Sequence, residues 1–165
     1  MKQSLRRKSL LSIVAIVLLA LIVGLCICFA FSNRFYISVK QQNLKKVYLK
    51  VNGIYEENDS KYLSEDGYSS MSVLCEENTC SMLIINEAGT IDFAFGNAQA
   101  LRQRLNDIVL YSDEDSTTTR VIEQTERYSL QSHLGTGNAS GYVEIWGILD
   151  NGNLLIARSS YAGIN

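Results

Sequence analysis

The residues of this chain that could do chemistry are few. There is one histidine, His133, and among the four cysteines Cys75 and Cys80 are separated by Glu-Glu-Asn-Thr. Histidine is the side chain best suited to act as a general base or a pH sensor near neutral pH. No G-x-S-x-G nucleophile motif accompanies it, however. We therefore expect no catalytic site, and we expect His133 to be a surface residue at the end of a strand.

The cysteines define a second candidate site. A turn between Cys75 and Cys80 would bring their thiols together and allow a disulfide. The alternative is a pair of free, buried thiols, and the sequence does not decide between these two states. A disulfide persists only in an oxidising compartment. Two cysteines and one distant histidine do not make a zinc ligand set. No phosphate-binding motif of the Gly-Lys-Ser/Thr type is present either, and we expect neither a metal nor a cofactor.

The compartment follows from the N-terminal residues. Residues 10–31 form an apolar run interrupted only by Ser12 and Gly24, and as a helix this run spans roughly 33 Å, enough to cross a hydrocarbon core of about 30 Å. The tail before it, residues 1–9, carries four basic and no acidic residues, which favours a cytoplasmic N-terminus. The run is too long for a signal-peptide core and no small-x-small cleavage site follows, so an uncleaved, single-pass anchor is predicted over a removed signal.

Residues 32–165 are then predicted to lie outside the cytoplasm as one domain. They hold 11 of the 15 basic residues and all 17 acidic residues, a net charge of −6. Because no basic patch remains outside the tail, nucleic-acid binding is not expected. The basic tail itself suits contact with anionic membrane lipid.

Helical patterns occupy much of the first half of this domain. An amphipathic pattern continues the span over residues 33–56, and its apolar stripe suits packing on its own domain, on a partner helix, or on both. Packing on its own domain is favoured because the stripe is short for a coiled coil. Residues 56–70 are predicted to form a loop or a short irregular helix. Further helices are predicted over about 70–77 and from the capping residue Asn97 to about Tyr111, followed by a loop over 112–119.

Six β-rich segments complete the pattern: residues 81–85, 91–95, 120–124, 127–133, 142–149 and 153–159. Asn-Glu-Ala-Gly-Thr joins the first two and Asp-Asn-Gly joins the last two, and both connections are typical of hairpins. Interleaved helices and hairpins predict an α+β domain with one antiparallel sheet of about five strands. Val143 and Ile145 are predicted to face the core, with Trp146 partly exposed or packed on the long helix.

A ligand pocket, if the domain has one, is expected on the sheet face opposite the long helix. Aromatic side chains with a polar group, and charged side chains, suit such a pocket. The candidates are Arg120, Tyr128, Tyr142, Glu144 and Trp146. Ordinary strand packing is the alternative for all of them.

Three stretches together resemble a known family. They are the basic tail and span leading into a long helix, the short helix followed by CSMLIINEAGTIDFAFG, and YVEIWGILDNGNLLIAR at residues 142–158. This arrangement resembles the membrane-anchored sensor region of bacterial two-component histidine kinases, whose extracytoplasmic domains are often PAS-like or Cache-like. The resemblance implies a PAS-like sheet packed on the long helix, a homodimer formed through the membrane and juxtamembrane helices, and an unidentified extracytoplasmic ligand or protein.

The activity of the parent family is protein histidine kinase, yet no kinase core follows here. No second apolar run occurs between Arg158 and Asn165. We therefore expect an input module, either a fragment of a longer protein or a truncated gene product. The alternative is a pilin-like or pseudopilin subunit, or another membrane-tethered binding module. A pilin is disfavoured because no glutamate precedes Glu56.

Overall fold

The chain forms two compact units, Met1–Tyr36 and Ile37–Asn165. The computed structural model describes residues 2–57, 63–111, 119–135 and 140–161. The predicted loop at 112–119 lies outside the described residues except for Thr119, and so does part of the predicted loop at 56–70.

The first unit consists of the N-terminal part of α1, which runs over Lys2–Glu57. Its apolar side chains from Leu10 to Phe29 are exposed. The most apolar 18-residue window has a mean hydropathy of 3.3, and none of it is buried. Within the described ranges, α1 is the one helix that is long and apolar enough to cross a membrane.

The second unit is an α+β domain, as predicted. Besides the end of α1, its elements are α2 (Glu65–Glu77), β1 (Ser81–Ile85), β2 (Ile91–Phe95), α3 (Ala98–Tyr111), β3 (Thr119–Gln124), β4 (Tyr128–His133), β5 (Tyr142–Ile148) and β6 (Leu154–Ser160). The strands form one antiparallel sheet in the order β2-β1-β6-β5-β4-β3. Six strands pair, against about five predicted, because β3 joins β4 at the sheet edge.

Helices pack on both faces of the sheet. The larger core lies on the α1 and α2 face, where Leu44, Val47 and Val51 of α1 meet Val143 and Ile145 of β5. This confirms that the apolar stripe of α1 packs on its own domain and that Val143 and Ile145 face the core. A smaller core on the opposite face joins Leu101 and Leu105 of α3 to Leu83 and Ile156.

Helix α2 begins earlier than predicted, at Glu65 and not near residue 70. Ser64 is its N-cap, and its hydroxyl oxygen accepts a hydrogen bond of 3.1 Å from the Gly67 N–H. Glu65 and Asp66 lie in the first turn, where negative charge complements the helix dipole. Asp66 and Gly67 have low helix propensity, but the hydrogen bond from the N-cap and the favourable charges stabilise residues 65–67 as the first turn of a helix.

Candidate functional site

The sheet face opposite α1 has two chemically different halves. Over β1 and β6 it is apolar and packs against α3. Over β4 and β5 it is polar, yet most of its side chains are buried. We call this second half the polar cluster; its members are Arg104, Ser129, Gln131, His133, Tyr142, Glu144, Trp146 and Arg158.

Glu144 is the centre of the polar cluster. Its side chain is fully buried and is held by guanidinium groups from two other elements. Arg104 Nε of α3 donates to Oε1 at 3.1 Å, and Arg158 of β6 donates to Oε2 through Nη2 at 2.6 Å and Nε at 3.1 Å. The two guanidinium groups therefore share one carboxylate through charge-assisted hydrogen bonds.

Tyr142 and His133 form the aromatic end of the polar cluster. Their rings stack with centroids 4.4 Å apart, and the Arg158 guanidinium lies 3.9 Å from the Tyr142 ring centroid. His133 Nδ1 is hydrogen-bonded to Thr119 Oγ1 at 3.0 Å. The expectation of a surface histidine was wrong: His133 does end β4, but the stacking and the neighbouring β3 strand bury it.

Several buried polar atoms of the cluster lack a hydrogen-bond partner among the residues that the structure describes. They are Gln131 Oε1, His133 Nε2 and Trp146 Nε1. His133 Nε2 lies 3.6 Å from Glu144 Oε1, which is too long for a hydrogen bond. Buried groups of this kind are normally satisfied in a native structure. Three unsatisfied atoms beside a buried ion triad mark this half of the face as unusual.

The electrostatics of Glu144 give a pH prediction. Burial opposes ionisation, but the neighbouring His133, Arg158 and Arg104 outweigh it and hold the pKa of Glu144 below its ordinary value of 4.5. A carboxylate with a lowered pKa stabilises the fold above its unfolded-state pKa, and this contribution is lost as the pH falls through the lowered value. We expect the difference in unfolding free energy between wild type and Glu144→Gln to be constant near pH 7 and to shrink below about pH 4.5. Urea titrations at several pH values measure this difference.

The five predicted ligand residues separate into two groups. Tyr142, Glu144 and Trp146 lie together in the polar cluster, on the face that was predicted. Trp146 is half-buried and packs beside the α3 core, not on α1. Tyr128 instead faces α1, where its ring lies 5.0 Å from that of Tyr48. Arg120 is exposed on the edge strand β3, opposite Ser132.

The placement of Tyr128 and Arg120 on the ligand face was wrong because of strand register. Ser129 pairs with Trp146, and Tyr128 pairs with Gly147. Since side chains alternate between the faces of a strand, a shift of one residue moves each side chain to the other face. The sequence did not show which residue of β4 would lie opposite Trp146.

Arg158, Arg104, Gln131 and His133 were not predicted as members of the site. The pairing of Arg158 with Glu144 has a sequence signal, because the Asn151-Gly152 turn sets the β5–β6 register in which these two residues are directly opposite. Arg104 has no such signal. Arg104 can reach Glu144 only because Leu101 and Leu105 pack α3 onto the sheet.

The two candidate cysteines lie at the other face, at the end of α2. Both are buried and both are free thiols in the structure. The Cys80 N–H donates to the Cys75 carbonyl oxygen at 3.0 Å. A disulfide between them stays a prediction.

Glu144 is poorly suited to act as a general base. A carboxylate that contacts two guanidinium groups is a weak base, and the hydroxyl that is hydrogen-bonded to His133 Nδ1 belongs to Thr119, at the start of the edge strand β3. Nor do the described residues bring together three His, Cys, Asp or Glu side chains that could hold a metal ion. The two arginines and the unsatisfied donors and acceptors are the groups on this face that could contact a small polar or anionic ligand.

Comparison with family models, with curated proteins and with solved structures gives no match for this chain. The family resemblance of the sequence therefore has no support from a relative.

Proposed function

We propose that this chain is the extracytoplasmic input module of a membrane-bound two-component sensor histidine kinase. Residues 10–31 anchor it in the membrane with the N-terminus in the cytoplasm, and the α+β domain senses a small polar or anionic ligand outside. The phosphorylation itself belongs to a kinase core that these residues do not include.

One observation carries the proposal: a single helix, α1, contains both the apolar segment and five buried side chains of the domain core. The segment is long enough to span a membrane. The core residues are Leu44, Val47, Tyr48, Val51 and Tyr55. A domain that only needed a tether could use a flexible linker, whereas a sensor needs an element that is part of both the anchor and the folded domain.

The polar cluster supports the sensing role because side chains of β5 lie on both faces of the sheet. Glu144 is in the polar cluster, and its neighbours Val143 and Ile145 pack with α1 on the other face. A ligand that changes the ion triad would therefore displace a strand that contacts α1. Such a ligand must bind two conformations of the domain with different affinities, because equal binding shifts no equilibrium.

The part of α1 that packs on the domain, residues 37–56, has no exposed apolar stripe that could form the predicted homodimer. Within residues 37–56 the exposed positions are polar or charged apart from Leu49, since the apolar stripe is buried in its own domain. Dimerisation through the membrane segment stays a prediction.

The proposal is tested on the native protein. Antibodies against residues 63–161 should recover it from membranes of the source cells together with a histidine kinase core. Incubation of the precipitate with ATP is then expected to produce an acid-labile, base-stable phosphoryl group, which is the signature of phosphohistidine. Alkaline phosphatase fused after Tyr161 should be active, because the domain lies outside.

Two controls sharpen this test. A precipitate made with pre-immune serum should show no phosphohistidine. Replacing Arg6, Arg7 and Lys8 by glutamine should lower the activity of the phosphatase fusion, because those charges orient the helix. A precipitate without phosphohistidine would rule out the kinase assignment, and an inactive wild-type fusion would rule out the exterior location.

A further inference from the structure

Helix α2 ends in a turn that brings two cysteines together. Thr79, two residues after the end of the helix, has a φ of 47°. The Thr79 N–H donates to the Glu76 carbonyl at 3.1 Å, and the Cys80 N–H donates to the Cys75 carbonyl at 3.0 Å. This pair of hydrogen bonds defines a Schellman motif, in which the side chains at the positions of Cys75 and Cys80 frequently contact each other.

The two thiols of this turn differ in acidity. Interaction with the neighbouring Cys80 thiol, together with burial, raises the pKa of the Cys75 thiol. Interaction with Cys75 lowers the pKa of the Cys80 thiol despite its burial, and the positive charge of Lys40 adds to the effect. Because a thiolate is the attacking species in disulfide exchange, Cys80 is the better nucleophile of the pair.

Lys40 connects this turn to α1 and to β6. Its buried ammonium group donates to Thr79 Oγ1 at 2.6 Å and to Ser159 Oγ at 2.9 Å. Ser159 Oγ in turn donates to the Thr79 carbonyl oxygen at 3.0 Å. Glycine is the usual residue at a left-handed position of this kind, but glycine could not accept the bond from Lys40. The hydroxyl of Thr79 thus accounts for a β-branched residue in an unfavourable conformation.

We propose that Cys75 and Cys80 are a redox-active pair that is oxidised to a disulfide across the end of α2. Two observations carry this proposal. The Schellman turn places the two buried cysteines at positions whose side chains frequently contact each other, and the Lys40 ammonium is bonded to Thr79, the residue next to Cys80. The proposal takes its oxidising environment from the exterior location in the proposed function and does not depend on signalling.

The oxidant is a disulfide, either a small molecule or a thiol oxidoreductase. The Cys80 thiolate attacks one sulfur of that disulfide; the new mixed disulfide forms, the oxidant's S–S bond breaks, and its second sulfur leaves with the electron pair and takes up the proton from Cys80. The Cys75 thiolate then attacks Cys80 Sγ and releases the oxidant's first sulfur, which takes up the proton from Cys75. The pair loses two electrons and two protons, and the oxidant becomes two thiols.

The full chain in its membrane allows a direct test. Cells are quenched in acid, free thiols are alkylated in denaturant, and the sample is reduced and alkylated with a second, isotopically heavier reagent. Trypsin places Cys75 and Cys80 on one peptide, residues 62–102, and Cys26 and Cys28 on another, residues 9–34. We expect the heavy label at Cys75 and Cys80 and the light label at Cys26 and Cys28, which serve as the internal comparison.

Oxidation of the purified, reduced chain tests the reactivity of the cysteine pair separately from the exterior location of the domain. Oxidised glutathione should convert Cys75 and Cys80 to a disulfide, and thiols that stay reduced in this experiment would overturn the proposal. A disulfide that forms in vitro but is absent from quenched cells would instead overturn the exterior location.

Single variants test the order of attack. Cys75→Ala should accumulate a glutathione adduct on Cys80, because no second thiol resolves the mixed disulfide. The matched Cys80→Ala variant should acquire little adduct on Cys75. Lys40→Met should slow the oxidation of the wild-type pair several-fold at neutral pH and have less effect at alkaline pH, where both thiols ionise without help. Equal adduct formation in the two cysteine variants would contradict the role of Cys80.

Discussion

Replacing Glu144 by glutamine is expected to lower the free energy of unfolding by about 3 kcal/mol. Glutamine has nearly the shape of glutamate but no charge, so the substitution removes the counter-ion and leaves the packing in place. The Arg104 and Arg158 side chains are only 16% and 23% exposed, and both guanidinium groups would lose the carboxylate that they share. The loss is at the lower end for a broken buried ion pair because both arginines retain some contact with water.

The measurement and its control are available within the chain. Trp146 is the single tryptophan and lies two residues from Glu144, so its fluorescence follows urea unfolding of the full chain in detergent micelles. The matched control is Glu123→Gln, which removes the carboxylate from the Lys45 ion pair at the sheet edge, where the two side chains are 40% and 37% exposed. Its effect should be much smaller, because exposed ion pairs contribute little. Equal losses in the two variants would contradict the central role of Glu144.

Much of the fold could be predicted from local patterns. The strands at 81–85 and 91–95 begin and end where the alternation and the intervening Asn-Glu-Ala-Gly-Thr turn predict. Helix α3 begins after Asn97, whose side-chain oxygen accepts a bond of 3.3 Å from the Ala100 N–H. These elements are specified by neighbouring residues, so the sequence contains the whole signal. The start of α2 was missed because one capping serine decides it against several poor helix formers.

The candidate site could be predicted only in part, because it depends on register and on a distant helix. Alternation along β5 placed Tyr142, Glu144 and Trp146 on one face. No comparable signal fixed β4, and so Gln131 and His133 replaced Tyr128 in the site. Arg104 belongs to α3 and lies 40 residues before Glu144 in the sequence. Contacts between distant elements depend on packing of the whole domain, which no local pattern encodes.

The exposed apolar segment and the buried polar cluster are two departures from ordinary soluble proteins, and they lie in different units of the chain. A hydrophobic helix that is exposed to water would be a liability, whereas in a bilayer it is the expected structure. A buried ion triad is weak evidence for stability, because an apolar replacement of similar volume often serves as well. The proposed function gives this triad a role in ligand recognition.

The second large effect is expected for Leu44→Ala in α1. Leu44 is 1% exposed and belongs to the larger core, so its truncation should lower the free energy of unfolding by about 2–5 kcal/mol through lost burial and a residual cavity. The result bears on the proposed function because Leu44 lies on the helix that also contains the apolar segment. Under that proposal, loss of this contact weakens the element that the anchor and the domain share. Urea unfolding followed by Trp146 fluorescence measures the change.

Leu49→Ala is the matched control on the same helix. Leu49 has the same side chain but is 56% exposed, and its truncation should change stability by no more than about 0.5 kcal/mol. A second readout is trypsin cleavage after Lys45 and Lys50, which should accelerate in Leu44→Ala and not in Leu49→Ala, because a helix that leaves the sheet becomes a substrate. Equal behaviour of the two variants would mean that α1 is a tether beside the domain and not a part of its core, and the proposed route from the sheet to the anchor would then be lost.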